Sequence, residues 1–332
     1  MGNKLGHTVA IGKNNTFSGS STNFEEASLN ERTLGTYGAF AVGLDNTIYS
    51  KYGVAIGYNN TVSGNNHTFA QGDGHSVMAS NGVCFGEDNT ISGSTGSFTA
   101  GSGNTTSLYA NFAVGEGNTV GDGSGFPSYG RSAAAIGRNS TIIADYGFGV
   151  GYGHSVSGAS TGTMALGLLN VADENSYCST LLGYGAKSSR YAEVVHAATA
   201  FSTTGDAQVC HLISKNQTTD ATETELFTNG STTRITIPAN TNATFSVLII
   251  ARQTNGAGEG GSYKLEGAIS NEGGTTSLIG SVTKTVLAED VAAWDVAATA
   301  DDTNDALKLT GTGAASDNVN WVAYTTLVQT TG

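Results

Sequence analysis

Apolar and polar positions in the first half of the chain fall into a short block that keeps returning. VAIGYNNTVSG, Val54 to Gly64, has near copies in TVAIGKNNTFSG, NFAVGEGNTVG and GFGVGYGHSVSG. Taking the glycine after each apolar triplet as a marker gives Gly12, Gly43, Gly57, Gly72, Gly86, Gly101, Gly115, Gly137, Gly151, Gly167 and Gly183. Most markers stand 14 to 16 residues apart; the intervals of 31 after Gly12 and 22 after Gly115 are the exceptions. So short a period cannot hold a helix pair but fits two short strands and two turns, so each repeat predicts one coil of a narrow β-solenoid.

Three residues before the marker stand Val9, Phe40, Val54, Phe69, Val83, Phe98 and Phe112; one residue before it stand Ile11, Val42, Ile56, Phe85, Val114 and Ile136. Strand side chains alternate, so these two columns share a face. The column between them is small, with Ala41, Ala55, Ala70, Cys84, Ala113 and Ala135, and faces the other way. Both faces of this strand are apolar, as in strands covered on both sides. A single solenoid has one interior, so the second face predicts another partner, most simply a second copy of the chain. The pattern leaves open which face is which.

After the marker come Asn15, Asn46, Asn60, Asn89, Asn104, Asn118 and Asn170, each suited to a turn and to an amide ladder from coil to coil. Thr and then a β-branched or aromatic residue follow, predicting the second strand. The 22-residue interval reads as one coil plus a protruding loop, GDGSGFPSYG, with Asp122, Phe126 and Tyr129 as candidate contacts. The 31-residue interval fits two coils, the second degenerate around NFEEASLNERT, with a short helical excursion as the alternative.

The motif VAIG..NT.SG at this spacing resembles the head repeat of trimeric autotransporter adhesins, the YadA-like head, over roughly Leu5 to Ser189. The resemblance implies a left-handed parallel β-roll in a tight homotrimer. After Gly183 the period dissolves through a neck, 190–207, into longer alternating runs such as VCHLIS, TFSVLIIARQ, SYKLEGAIS and NWVAYTTLVQ, separated by turn signals. These predict an antiparallel β-sandwich, jelly-roll-like, over 208–332. The block from Gln208 to Gln329, with RITIP, VTKTVLAEDVAAWDVAATADD and NWVA, resembles a C-terminal domain of phage tail fibres and prophage virion proteins. The fold class read from the sequence is therefore all-β: a trimeric β-roll shaft, 1–189, a neck and a C-terminal β-sandwich.

Composition narrows the chemistry. A net charge of −13 with only 14 Lys and Arg argues against a nucleic-acid groove and against an anionic membrane surface. No apolar run approaches the ~20 residues of a membrane span. The opening residues show no apolar signal region, so export is not expected. Cys84, Cys178 and Cys210 have unrelated spacings that predict neither a disulfide framework nor a metal site. His75 and His154 occupy the Asn column five coils apart, too far to share an ion, and no cofactor motif is present. Asp73 and Glu87 follow markers of successive coils and should lie about 5 Å apart, near the spacing of a retaining glycosidase pair, although stacking alone produces that proximity. In the second half Arg252, Asn255, Glu259 and Trp294 are the candidate ligand contacts, while Trp321 and Tyr263 sit in alternating strands and read as core.

The functional expectation is a non-enzymatic structural fibre of a phage virion on the tail or capsid, assembled in the host cytoplasm. Its expected partners are two further copies of itself, other proteins of the tail, baseplate or capsid, and a host-surface glycan or protein. A bacterial surface adhesin and a capsule-depolymerising spike are the alternatives.

Overall fold

The structure, a computed structural model, describes residues 8–17, 38–64, 66–93, 95–121 and 131–332. The chain forms two compact units, 1–163 and 164–332. Both are built of strands, and among the described residues there is no helix.

In the first unit nine five-residue strands, from Val9–Lys13 to Phe148–Tyr152, alternate with two-residue strands, from Thr16–Phe17 to Ser155–Val156. Successive coils pair in parallel without register shift, Ala41 opposite Ala55 and Gly43 opposite Gly57. This is the parallel β-solenoid that the repeat predicts. The face question is settled by size: Ala41, Ala55, Ala70, Cys84 and Ala113 are fully buried, together with Ile48, Val62, Val77, Ile91 and Val120 of the short strands. Most coils pair one small with one medium side chain in this way, and Phe17 takes the short-strand place in the coil that begins at Val9. Where the pair is Thr99 and Thr106, their hydroxyls lie 3.0 Å apart and satisfy each other inside the roll. The large columns point outward.

The marker glycine is dictated by stacking. Gly57 has φ of +122°, and a Cβ there would lie 2.0 Å from the carbonyl oxygen of Gly72 in the next coil. The Asn column supplies the cross-links. Asn60 Nδ2 donates to Asn46 Oδ1 at 2.9 Å and to the Gly72 carbonyl at 3.0 Å, while Asn60 Oδ1 accepts from the backbone N–H of residue 75. Each buried amide is thereby satisfied by its neighbours along the stack.

The first long interval departs from expectation. Val9–Lys13 pairs directly with Phe40–Leu44, and Asn46 donates directly to Asn15 Oδ1 at 3.0 Å, so the two coils are neighbours and no second coil lies between them. An interval of 31 is ambiguous because two coils and one coil with an insertion have the same length; the insertion itself lies outside the described residues. The 22-residue interval is one coil plus an insertion, since Phe112–Glu116 pairs with Ala134–Arg138.

In the second unit Met164–Leu168 and Thr180–Tyr184 continue the coil pattern. Val194–Ala197, within the stretch read as a neck, pairs in parallel with Thr180–Tyr184 on one edge and antiparallel with Ala207–Thr218 on the other. The sheet then runs, antiparallel throughout, through Val319–Thr331, Thr241–Gln253, Gly260–Glu272 and Thr275–Glu289. A smaller antiparallel sheet has Ala306–Thr312 at its centre, with Asp295–Asp301 on one edge and Thr224–Glu225 and Ile235–Thr236 on the other. Phe245, Val247, Ile249, Leu265 and Trp321 are buried, as are Val296, Leu307 and Leu309 of the smaller sheet. The fit is close: a Cβ on Gly311 would meet the Trp321 ring at 2.6 Å.

Candidate ligand-contact sites

One group of candidates gathers at a loop end of the antiparallel region. The strands Thr241–Gln253 and Gly260–Glu272 are joined by a hairpin that Gln253 closes, its N–H donating to the Glu259 carbonyl at 2.9 Å. Asn255 anchors the hairpin to the neighbouring turn. Its Nδ2 donates to the Ser316 carbonyl at 2.7 Å and its Oδ1 accepts from the Asn318 N–H at 2.8 Å. The Arg252 guanidinium lies over the hairpin, 3.2 Å from where a Cβ on Gly258 would be. Arg252 and Asn255 are exposed and Glu259 half-buried, so the structure brings these three together on one accessible loop.

Trp294 is corrected. It is 3% exposed, stands edge-on to Trp321 at 5.9 Å and donates from Nε1 to Asp317 Oδ2 at 3.4 Å, so its ring offers no open platform. Trp321 and Tyr263 are buried, as their strand positions predict. Burial, joined by a 3.2 Å bond to Glu289, pushes the Tyr263 hydroxyl well above its ordinary value. Asp122, Phe126 and Tyr129 lie outside the described residues.

The outward face of the roll is the second surface. Ring centroids along Phe69, Phe85, Phe98 and Phe112 are separated by 5.2, 6.0 and 5.2 Å, forming a continuous aromatic line. Beside it Asp73 is the direct cross-strand partner of Glu87, both exposed, as the coil spacing predicts. Arg138 pairs with Glu116 at 3.1 Å on the same edge.

His75 and His154 belong to the ladder. His75 Nε2 bonds the Gln71 carbonyl at 3.1 Å and its Nδ1 accepts from the Asn89 N–H at 3.3 Å; His154 Nε2 bonds the Val150 carbonyl at 2.9 Å. Burial lowers the pKa of both.

Two further residues escaped the sequence reading. Tyr52 and Tyr146 each have φ of 56° and are 50% and 63% exposed. Other coils place Asn81 or Gly96 at this turn, so a tyrosine here carries backbone strain while leaving its ring in water. The sequence signal was a large residue in a column suited to Asn and Gly. Tyr52 stacks on His67 at 5.0 Å, and farther along the Arg131 guanidinium lies 5.9 Å from the Tyr109 ring.

No protein-family model matches this sequence, and no curated protein matches it. Among solved structures the chain is similar to a tailspike protein, gp49 of Acinetobacter baumannii bacteriophage Fri1, described as a capsular polysaccharide depolymerase. Identity is 9%, over 98% of this chain and 82% of that one, with a TM-score of 0.24. It is also similar to the tailspike protein of Acinetobacter baumannii phage AM24, at 10% identity over 97% of this chain and 58% of that one, with a TM-score of 0.21. The chain thus spans less than two thirds of the second tailspike. The expectation of a non-enzymatic chain is corrected: the Fri1 tailspike to which the chain is similar is described as a depolymerase.

Proposed function

We propose that this chain is a homotrimeric fibre or spike of a phage virion that contacts a host-surface polysaccharide and docks to other virion proteins. The observation that carries the reading is the outward apolar column of the roll. Ile11, Phe85, Phe112 and Ile136 are 56, 36, 37 and 38% exposed in a single copy, within a stripe repeated coil after coil. A stripe of that kind marks a contact surface, and covering each half-exposed Phe or Ile stabilises an assembly by about 1 kcal/mol. The YadA-like repeat supports the trimer, and the phage-fibre likeness of Gln208–Gln329 supports a virion location. Exposed Tyr52 and Tyr146 on the roll, and Arg252, Asn255 and Glu259 on the hairpin, supply aromatic and polar groups of the kinds that bind sugars.

Immunogold electron microscopy of lysates from the producing organism tests this. Gold on virion tails or capsids is the expected result; gold on cell envelopes beside bare virions would make the protein a bacterial adhesin instead.

A second reading rests on Asp73 and Glu87, whose strand-to-strand spacing of ~4.8 Å approaches that of a retaining glycosidase pair. Release of reducing ends from host capsule, lost in both Asp73→Asn and Glu87→Gln, would establish a depolymerising spike. Capsule that is bound but left uncut would remove that reading.

A further inference from the structure

We infer that the outward face of the five-stranded antiparallel sheet is an assembly surface that docks onto a second copy of this chain. The inference deepens the trimeric reading above and rests on it.

Alternation along Ala207–Thr218, Thr241–Gln253 and Val319–Thr331 sends Leu212, Val247, Ile249 and Trp321 inward. In a sheet with one solvated face the opposite positions should be polar. The central positions hold Ile213, Leu248, Ile250, Val322 and Tyr324 instead, each between 41 and 58% exposed, with Lys215, Arg252 and Asn320 beyond them at one end and Ser246 and Thr326 at the other. Register makes these one patch: Ile213 lies opposite Tyr324, Tyr324 opposite Leu248, and Val322 opposite Ile250. At roughly 100 Å² per half-exposed side chain the patch reaches roughly 500 Å², near the upper end of what a monomer leaves uncovered and more than half of the ~800 Å² that each partner gives a stable interface.

Continuity identifies the occupant. Within this unit the face that carries the patch continues, through His211 and Val209, into the outward columns of the coils. His211 lies opposite Val194 and Val209 opposite His196; Val194 and His196 in turn lie opposite Thr180 and Leu182, which adjoin Met164 and Leu166. The surface that the coils turn toward their copies and the apolar face of the antiparallel sheet are one surface. A sugar ligand fits it poorly. The patch is aliphatic apart from Tyr324, whose hydroxyl is already bonded to His211 Nδ1 at 2.8 Å and whose ring stacks on that imidazole at 5.8 Å.

The test uses the full chain. A benzophenone amino acid at position 324 reports what covers the patch, while the double variant Leu248→Thr with Ile250→Thr removes apolar area but keeps strand-forming residues. Expected are copy-to-copy crosslinks, with the double variant dissociating at a concentration at least tenfold higher than wild type while keeping its far-ultraviolet circular dichroism. A wild-type trimer without such crosslinks, with dissociation unmoved in the double variant, would overturn this inference and leave the trimeric reading intact. Crosslinks to polysaccharide or to another virion protein would overturn it too. A monomeric wild type at micromolar concentration would remove both.

Discussion

Arg190 and Glu193 form an ion pair closed off from solvent, 2% and 0% exposed, where the last coil meets the antiparallel sheet. Arg190 also donates from Nε to the Thr236 carbonyl at 2.6 Å and from Nη2 to Gln329 Oε1 at 3.0 Å, so one side chain ties the coil to two strands distant in sequence. Burial opposes the guanidinium charge, but Glu193, together with Cys210, more than offsets it and holds the pKa above its ordinary value. Removing one partner strands a charge in the interior. Arg190→Met and Glu193→Leu should each cost about 3–5 kcal/mol in denaturant unfolding, and the double variant carrying both should cost clearly less than their sum. Costs that simply add would mean that the two residues act independently.

The marker glycines make a second prediction. At Gly57 an alanine meets two obstacles at once, a φ of +122° that side chains disfavour and a carbonyl 2.0 Å from its Cβ. That carbonyl is backbone and cannot swing aside. Gly57→Ala should therefore lower stability by about 3 kcal/mol or more, against a few tenths for substitutions at exposed Tyr58 next to it. Thermal melts of the two variants decide the point.

That glycine also shows why the roll was legible in the sequence. Its constraint is local and returns with every coil, as do the Asn ladder and the small inner column, so the demand appears as spelling. The orientation of the two apolar faces was not read, although the sizes in the pattern carried it: the gap between a five-residue and a two-residue strand is filled by pairs such as Ala55 and Val62, so the small column faces inward. Trp294 failed for a different reason. Its burial comes from Trp321 and Asp317, 27 and 23 residues away along the chain, and no local pattern announces such partners. The hairpin bearing Arg252, Asn255 and Glu259 was legible because its glycines mark a turn, but its anchoring to Ser316 and Asn318 was not.

Thiol chemistry gives a third prediction. Cys84 fills the small inner column, and burial pushes its pKa up to about 12; burial raises Cys210 as well, whereas Cys178 is exposed. The thiolate is the reactive form, so the two buried thiols are protected both by access and by protonation. Maleimide at neutral pH should modify one cysteine per native chain, located at Cys178 by peptide mass, and three after denaturation. Native labelling of Cys84 would mean that the coil opens at that point.

The ladder histidines make stability depend on pH. His75 and His154 replace asparagines and are held mainly by backbone carbonyls; burial depresses both, although Asp88 and Asp73 pull His75 part of the way back. Between the ordinary value of 6.5 and the depressed folded value, the unfolded chain binds more protons than the folded one. Stability is therefore fully present above pH 6.5, falls as pH drops through 6.5, and levels off once the folded histidines are also protonated. The double variant His75→Asn with His154→Asn restores the ladder residue used by neighbouring coils. It should match or exceed wild type at pH 7.5 and lose most of the decline between pH 7 and 5 in denaturant unfolding of the roll. A decline of the same size in the variant would place the titrating groups elsewhere.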